Sequence, residues 1–158
     1  MKLERNTSTK MQLSKTRGYA AIGLYHPKTP ANVGATLRAV GVFNAALLAI
    51  EGRRYKKSPT DTRNEYKHTP LIETDDLYSI IPYDCVPVAV DLLENARPLP
   101  TYVHPERAFY IFGPEDGTLG KHITSRCRDK IYIPSNGCLN LAATVNVVLY
   151  DRLAKQLT

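Results

Sequence analysis

The sequence predicts an α/β fold, a parallel sheet with helices on both faces, and three observations lead to it. Short apolar stretches alternate with helix-like stretches along the chain, the pattern of βα units rather than of hairpins. Two of the apolar stretches stop at Phe112-Gly113 and Ile133-Pro134, which ends a strand and leaves a loop at its carboxyl edge. The last segment, Leu139 to Gln156, carries apolar residues nearly all round, as a helix buried on more than one face does.

Taken in order, Tyr19 to Leu24 reads as the first strand, and Asn32 to Phe43 as a helix with Asn32 at or before its first turn and Gly34 just inside it. An asparagine there caps the free N–H groups, and an uncrowded helix start lets a phosphate or ribose approach them. Ala45 to Ile50 is the second strand. The polar segment from Gly52 to Pro70 is a long loop, followed by a short helix at Asp75 to Ile80. Val86 to Asp91 and Ala108 to Phe112 are the third and fourth strands, Leu119 to Ser125 a helix, and Lys130 to Ile133 the fifth strand. Ser135-Asn136-Gly137 makes a turn into the closing helix. There Leu141, Ala142, Val145, Val148 and Leu149 share one side, while Leu139, Ala143 and Val147 lie on others. Packing against both its own sheet and a second subunit satisfies such a helix.

At 158 residues, 43% apolar and 23% charged, the chain has the size and composition of one globular domain with a real core. We read residues 18–158 as that domain and 1–17 as a basic, flexible tail. No apolar run is long enough to span a bilayer, and the first twenty residues contain no apolar signal core, so a cytoplasmic protein is expected. Cys85, Cys127 and Cys138 are odd in number and widely spaced, and His26, His68, His104 and His122 match no metal spacing. Free thiols and no metal site are the expectation, with His26 structural rather than a base. The net charge of +6 is concentrated in residues 1–17 and in 53–67, where Arg53, Arg54, Lys56 and Lys57 are interleaved with Tyr55 and, further on, Tyr66. Cations beside rings suit unpaired RNA; charge alone leaves a solvated basic loop equally open.

Three short stretches then narrow the reading: Asn32-Val33-Gly34 with Arg38, Phe112-Gly113-Pro114-Glu115-Asp116-Gly117, and Ile133-Pro134 followed by Cys138-Leu139-Asn140-Leu141. In this order they resemble the three motifs of the SPOUT superfamily, and more narrowly those of SpoU/TrmH-type RNA ribose 2′-O-methyltransferases, over roughly Ile22 to Leu153. The resemblance implies a C-terminal deep trefoil knot, which no hydrophobic pattern reveals, and a homodimer through the closing helix. It implies S-adenosylmethionine as cofactor and RNA as substrate, tRNA before rRNA. By the same resemblance Arg38 is the catalytic arginine, with Asn32, Glu115 and Asn140 beside it. The backbone of Gly113, Ile133, Cys138 and Leu139 holds the cofactor, and Val90 lines its pocket.

Transfer from a sulfonium methyl is an in-line displacement, so the protein's tasks are positioning, proton removal and charge stabilisation. A guanidinium is effectively never deprotonated. Arg38 is therefore read as a phosphate clamp or alkoxide stabiliser rather than as a base. Glu115 reads as structural, organising its loop or capping the helix that opens near Leu119. Asn140, a buried amide at the start of an apolar helix, needs partners: it caps that helix, or holds Arg38 or the substrate ribose. The chain departs from the family pattern at Cys138, where serine is usual, in the short loop from Pro134 to Cys138, and at Asp116. Two alternatives remain: a non-catalytic RNA-binding dimer of the same fold, and a methyltransferase acting on a base nitrogen.

Overall fold

The computed structural model describes residues 3–5, 11–13, 17–54 and 68–157. Lys56, Lys57, Tyr55 and Tyr66 lie outside them. Within the segment expected as a tail, β1 (Leu3–Arg5) and β2 (Met11–Leu13) pair antiparallel in a small sheet of their own.

The main sheet has seven strands, all paired in parallel. They are β3 (Tyr19–Tyr25), β4 (Leu48–Glu51), β5 (Leu71–Thr74), β6 (Val86–Val90), β7 (Arg97–Pro98), β8 (Arg107–Phe112) and β9 (Asp129–Tyr132), in the spatial order β5-β4-β3-β8-β6-β9-β7. The five expected strands are all present. The two unexpected ones form the edges, where the sequence signal is weakest: β5 includes Glu73 and Thr74, and β7 is two residues long and contains Pro98. Proline is tolerated at an edge because no neighbour needs its missing N–H.

Alternation along the central strands divides the core in two. Ile22, Leu24, Tyr110 and Phe112 point to the face covered by α1 (Pro30–Val42) and α3 (Leu141–Leu157), whereas Ala21, Phe109 and Ile111 point to the other. That second face is covered by short pieces: a 3₁₀ turn at Leu77–Ile80 and the four-residue α2 (Lys121–Thr124), with Leu119 and Cys127 beside it. The helix expected from Leu119 to Ser125 is thus shorter, because Gly120 takes the cap position before it. The first helix also starts earlier than expected. Thr29 is the extended cap residue and Pro30 occupies the first turn, where its fixed φ suits a helix start and its missing N–H costs nothing. Asn32 is therefore inside the helix and is not its cap.

A buried polar network ties α3 to the sheet. Tyr110 Oη lies 2.6 Å from His104 Nδ1, His104 Nε2 lies 2.7 Å from Asp151 Oδ2, and Arg152 Nη1 donates to Tyr110 Oη at 3.0 Å and to the Pro105 carbonyl at 2.8 Å. Lys155 Nζ donates to the Leu99 and Tyr102 carbonyls and pairs with Asp151. One neutral tautomer satisfies the set: Tyr110 O–H donates to Nδ1, and Nε2–H donates to Asp151. Burial pushes the His104 imidazole below its ordinary range, against the opposing pull of Asp151. The unfolded chain takes up that proton near pH 6.5 and the folded chain only at lower pH. The contribution to stability is therefore whole above that value and lost as pH falls below it. His104→Phe, which breaks the link between Tyr110 and Asp151 and leaves them Arg152 and Lys155 alone, is expected to cost about 1–3 kcal/mol. Urea unfolding at about pH 8 and about pH 5.5 should show a smaller stability loss on acidification in this variant than in the native chain.

Candidate active site

The chain leaves β3 to build β4 and β5 on one side, then returns through β6, β8 and β9 on the other. Ligands of open α/β sheets bind at the carboxyl edge near such a reversal. A cleft of about 620 Å³ opens at the carboxyl ends of β6, β8 and β9, walled by the segments that leave those strands. Val90, Gly113, Ile133, Cys138 and Leu139, the five residues expected at a cofactor, all line it. Most of the lining is backbone and apolar side chain, suited to a ligand with a flat apolar part. At Gly113 an added Cβ would stand 3.1 Å from the Leu119 nitrogen and 3.4 Å from its side chain; the bare backbone lets the segment leaving β8 fold back tightly on itself at the edge of the cleft.

Sequence reasoning missed Asp91, the residue after β6. Its Oδ1 accepts from the Leu92 N–H at 2.8 Å and its Oδ2 from the Leu119 N–H at 3.1 Å, so one carboxylate staples two walls of the cleft. The available signal was an acid placed directly at the end of an apolar strand.

Glu115 does not cap the helix near Leu119, whose N–H is taken by Asp91. The Glu115 carboxylate accepts from the Lys28 N–H at 3.1 and 3.2 Å and from the Thr29 N–H at 2.7 Å, tying the 113–117 segment to the start of α1. Partial burial raises its proton affinity, yet the bonds from Lys28 and Thr29 outweigh that and hold the carboxyl below its usual range, as expected of a carboxylate at a helix N-terminus. Glu115→Ala is expected to cost about 1–3 kcal/mol, read as a lowered urea midpoint.

Asn140, expected as a buried amide, is exposed, because the whole 134–140 turn ahead of α3 lies at the surface, and there it meets Asn32. Asn140 Oδ1 accepts from the Ala142 and Ala143 N–H groups at 2.9 and 3.3 Å, capping α3, while its Nδ2 donates to Asn32 Oδ1 at 2.9 Å. The first and third motifs are thereby joined by one amide pair bridging α1 and α3. The amide N–H donors of Asn32 have no protein partner among the described residues. Arg38 is not drawn into this cluster. It is exposed on α1, about 9 Å along the helix axis from Asn32, and makes no hydrogen bond or ion pair among the described residues. Its charge is uncommitted.

Of the expected RNA contacts, Arg53 and Arg54 are exposed. Arg54 Nη2 pairs with Asp116 Oδ2 at 2.7 Å, so the start of the basic segment is tied to a cleft wall. All three cysteines are free thiols, Cys138 exposed and the others buried. Among the described residues no group of three His, Cys, Asp or Glu side chains is placed to hold a metal ion.

The model of the SpoU rRNA methylase family matches residues 19–150. No match is found among curated proteins. Among solved structures, the SpoU methyltransferase AviRb from Streptomyces viridochromogenes superposes with a TM-score of 0.77 at 17% identity, over 88% of this chain and 60% of that one. An AdoMet-bound rRNA methyltransferase from Sinorhizobium meliloti gives 0.77 at 19% identity, over 90% and 59%. A protein described for the 2-OH methylation of C/U34 on tRNA gives 0.77 at 22% identity, over 91% and 94%. At these identities the likeness to each structure is one of fold, and the chain spans about three fifths of the AviRb chain.

Proposed function

The chain belongs to the SpoU rRNA methylase family, and from that premise we propose that it transfers a methyl group from S-adenosylmethionine to a ribose 2′-hydroxyl of RNA, with tRNA as substrate. One observation carries the reading: the three motif segments converge. Glu115 grips the start of α1, Asn140 grips Asn32, and the segments bearing Glu115 and Asn140 leave the same cleft.

S-adenosylmethionine, when bound, supplies the activated methyl group. The cleft residues Val90, Gly113, Ile133, Cys138 and Leu139 would hold it, chiefly through backbone groups and apolar contact, with the bare Gly113 backbone letting Leu119 pack against it. Asp91 fixes two of those walls. The acceptor hydroxyl becomes a nucleophile as its proton leaves, and the guanidinium of Arg38, charged throughout, lowers the cost of the developing alkoxide or clamps the adjoining phosphate. The proton passes to a substrate phosphate or to water. Asn32, held in place by Asn140, offers its amide N–H donors to the ribose.

Support for tRNA is the likeness, over nearly the full length of both chains, to the protein described for 2-OH methylation on tRNA; rRNA is the second choice, from the family's description. The reading extends to a knot, supported by the order of strands: β9 lies between β6 and β7, which the segment 91–96 joins, and α3 follows it. It extends to a homodimer through α3, in the cytoplasm; no described helix is long and apolar enough to cross a membrane. Ala143, Val147, Tyr150, Ala154 and Leu157 recur at helical spacing on α3, with Tyr150 62% and Val147 38% exposed, and Val42 of the adjoining α1 61% exposed. That is a wide apolar face for water to cover. Tyr150→Glu is expected to convert a dimer to monomers, checked by sedimentation.

The test is incubation with total tRNA and labelled S-adenosylmethionine, followed by digestion to nucleosides and mass spectrometry. The methyl is expected on a 2′-O-methylated nucleoside. A methyl on a base nitrogen overturns the ribose assignment.

A further inference from the structure

Three rings that the transfer mechanism does not use gather over the carboxyl ends of β3 and β4, beside the cofactor cleft. Tyr25 meets His26 edge to face with centroids 4.4 Å apart, and meets His122 of α2 at 5.3 Å, with Tyr25 Oη 2.8 Å from His122 Nε2. Tyr25 and His26 are half-buried and His122 is exposed. The cluster is built at a conformational cost. His26 sits at φ +50°, a region that residues other than glycine seldom occupy and that marks functional sites when it persists. It is held there by its N–H, which donates to the Glu51 carbonyl at 2.8 Å, and by Glu51 Oε2, 3.4 Å from Nε2. The ring lies flat on Gly52, φ +100°, where an added Cβ would be 2.4 Å from His26 Nδ1; any other residue would push the ring away.

Lys28, Arg54 and Lys121 are exposed and lie within two residues of His26, Gly52 and His122 along the chain. The neighbouring carboxylates are committed. Glu51 is buried, with its second oxygen accepting from the Leu77 N–H at 2.8 Å, and Glu115 is taken up by the Lys28 and Thr29 N–H groups. Asp116 is the exception. It holds Arg54 in an ion pair with both side chains more than a third exposed, and such pairs are weakly held and readily exchanged.

We propose that this cluster is a second RNA subsite that takes an unpaired nucleotide, its base against the rings of Tyr25, His26 and His122, its phosphate on Arg54 in place of the Asp116 carboxylate. The inference rests on the reading of the chain as an RNA methyltransferase. Stacking on rings accepts any base, so the subsite positions the strand without reading sequence, while the acceptor ribose occupies the cofactor cleft. Because Asp116 adjoins Glu115, the same exchange places a phosphate next to the segment that walls that cleft.

The test uses the full chain and an unstructured oligouridylate of about 12 nucleotides. After ultraviolet crosslinking, the peptides carrying Tyr25 or His122 are expected to bear the nucleotide. Arg54→Ala and His122→Ala should each weaken oligonucleotide binding, together by about tenfold, whereas Asp116→Asn, by removing the competing carboxylate, should tighten it. His122→Ala should leave S-adenosylmethionine binding by calorimetry unchanged. Crosslinks confined to other peptides, or binding indifferent to all three substitutions, would overturn the subsite. Methyl transfer is scored in parallel. Transfer without these crosslinks removes the subsite and leaves the enzyme reading standing; crosslinks without transfer keep the subsite and remove that reading.

Discussion

Arg38→Ala is expected to lower methyl transfer by at least about a hundredfold, the scale on which removing a preorganised charge from a developing oxyanion acts. The same variant should keep its thermal midpoint and its affinity for S-adenosylmethionine. Both halves follow from placement. Arg38 is exposed and has no hydrogen-bond or ion-pair partner among the described residues, so truncating it leaves no buried group unpaired and stability moves by no more than about 0.5 kcal/mol. It is absent from the cofactor cleft lining, so cofactor binding is untouched. Arg38→Lys separates charge from geometry: it keeps the positive charge but loses the planar fork, and should recover part of the rate. Transfer retained in Arg38→Ala would remove Arg38 from the mechanism.

The second large effect is at Asn140, where one side chain performs two tasks. Asn140→Ala removes the cap of α3, a loss of about 1 kcal/mol, and takes away the donor that holds Asn32 Oδ1. The thermal midpoint and transfer should both fall. Asn140→Ser distinguishes the tasks, because serine caps a helix well but its side chain is too short to reach Asn32. Stability is expected to return with serine while transfer stays low. Full recovery of transfer would reduce Asn140 to a helix cap and leave Asn32 without a role that depends on it.

The parts of this molecule that could be read in the sequence are those with a local signature. The strands β3, β6 and β8 are apolar runs, and the face of α3 that packs on the sheet is an apolar stripe at helical spacing. Edge strands do not announce themselves: half of β5 is polar, and β7 is an arginine and a proline. The start of α1 was legible but misread, since Thr29-Pro30 is a helix-opening pair and the asparagine two residues on drew the cap assignment to itself. The family resemblance named Arg38, Asn32, Glu115 and Asn140 together, but the contacts that each makes, or in the case of Arg38 does not make among the described residues, were not legible. Glu115 reaches backbone N–H groups 86 and 87 residues away, and Asn140 reaches an amide 108 residues away. The His104–Asp151 pair spans 47 residues, and Arg152 is buried on the face of α3 that otherwise carries Leu141, Ala142, Val145, Val148 and Leu149. Contacts of that separation are set by the order of strands in the sheet, which no periodicity encodes. Asp91 was hidden for a different reason. Its work is done on backbone N–H groups, and an acid at a strand end looks like any loop residue.

Label transfer tests whether this cleft and the charge on α1 together methylate RNA. The purified protein is incubated with total RNA and S-adenosylmethionine labelled in its methyl group, with Arg38→Ala as control, and acid-insoluble label is counted. Label is expected to accumulate with the native chain and to be lost in the control. A native chain that binds the cofactor and RNA yet leaves every RNA fraction unlabelled would contradict it and make the protein an RNA-binding member of its family.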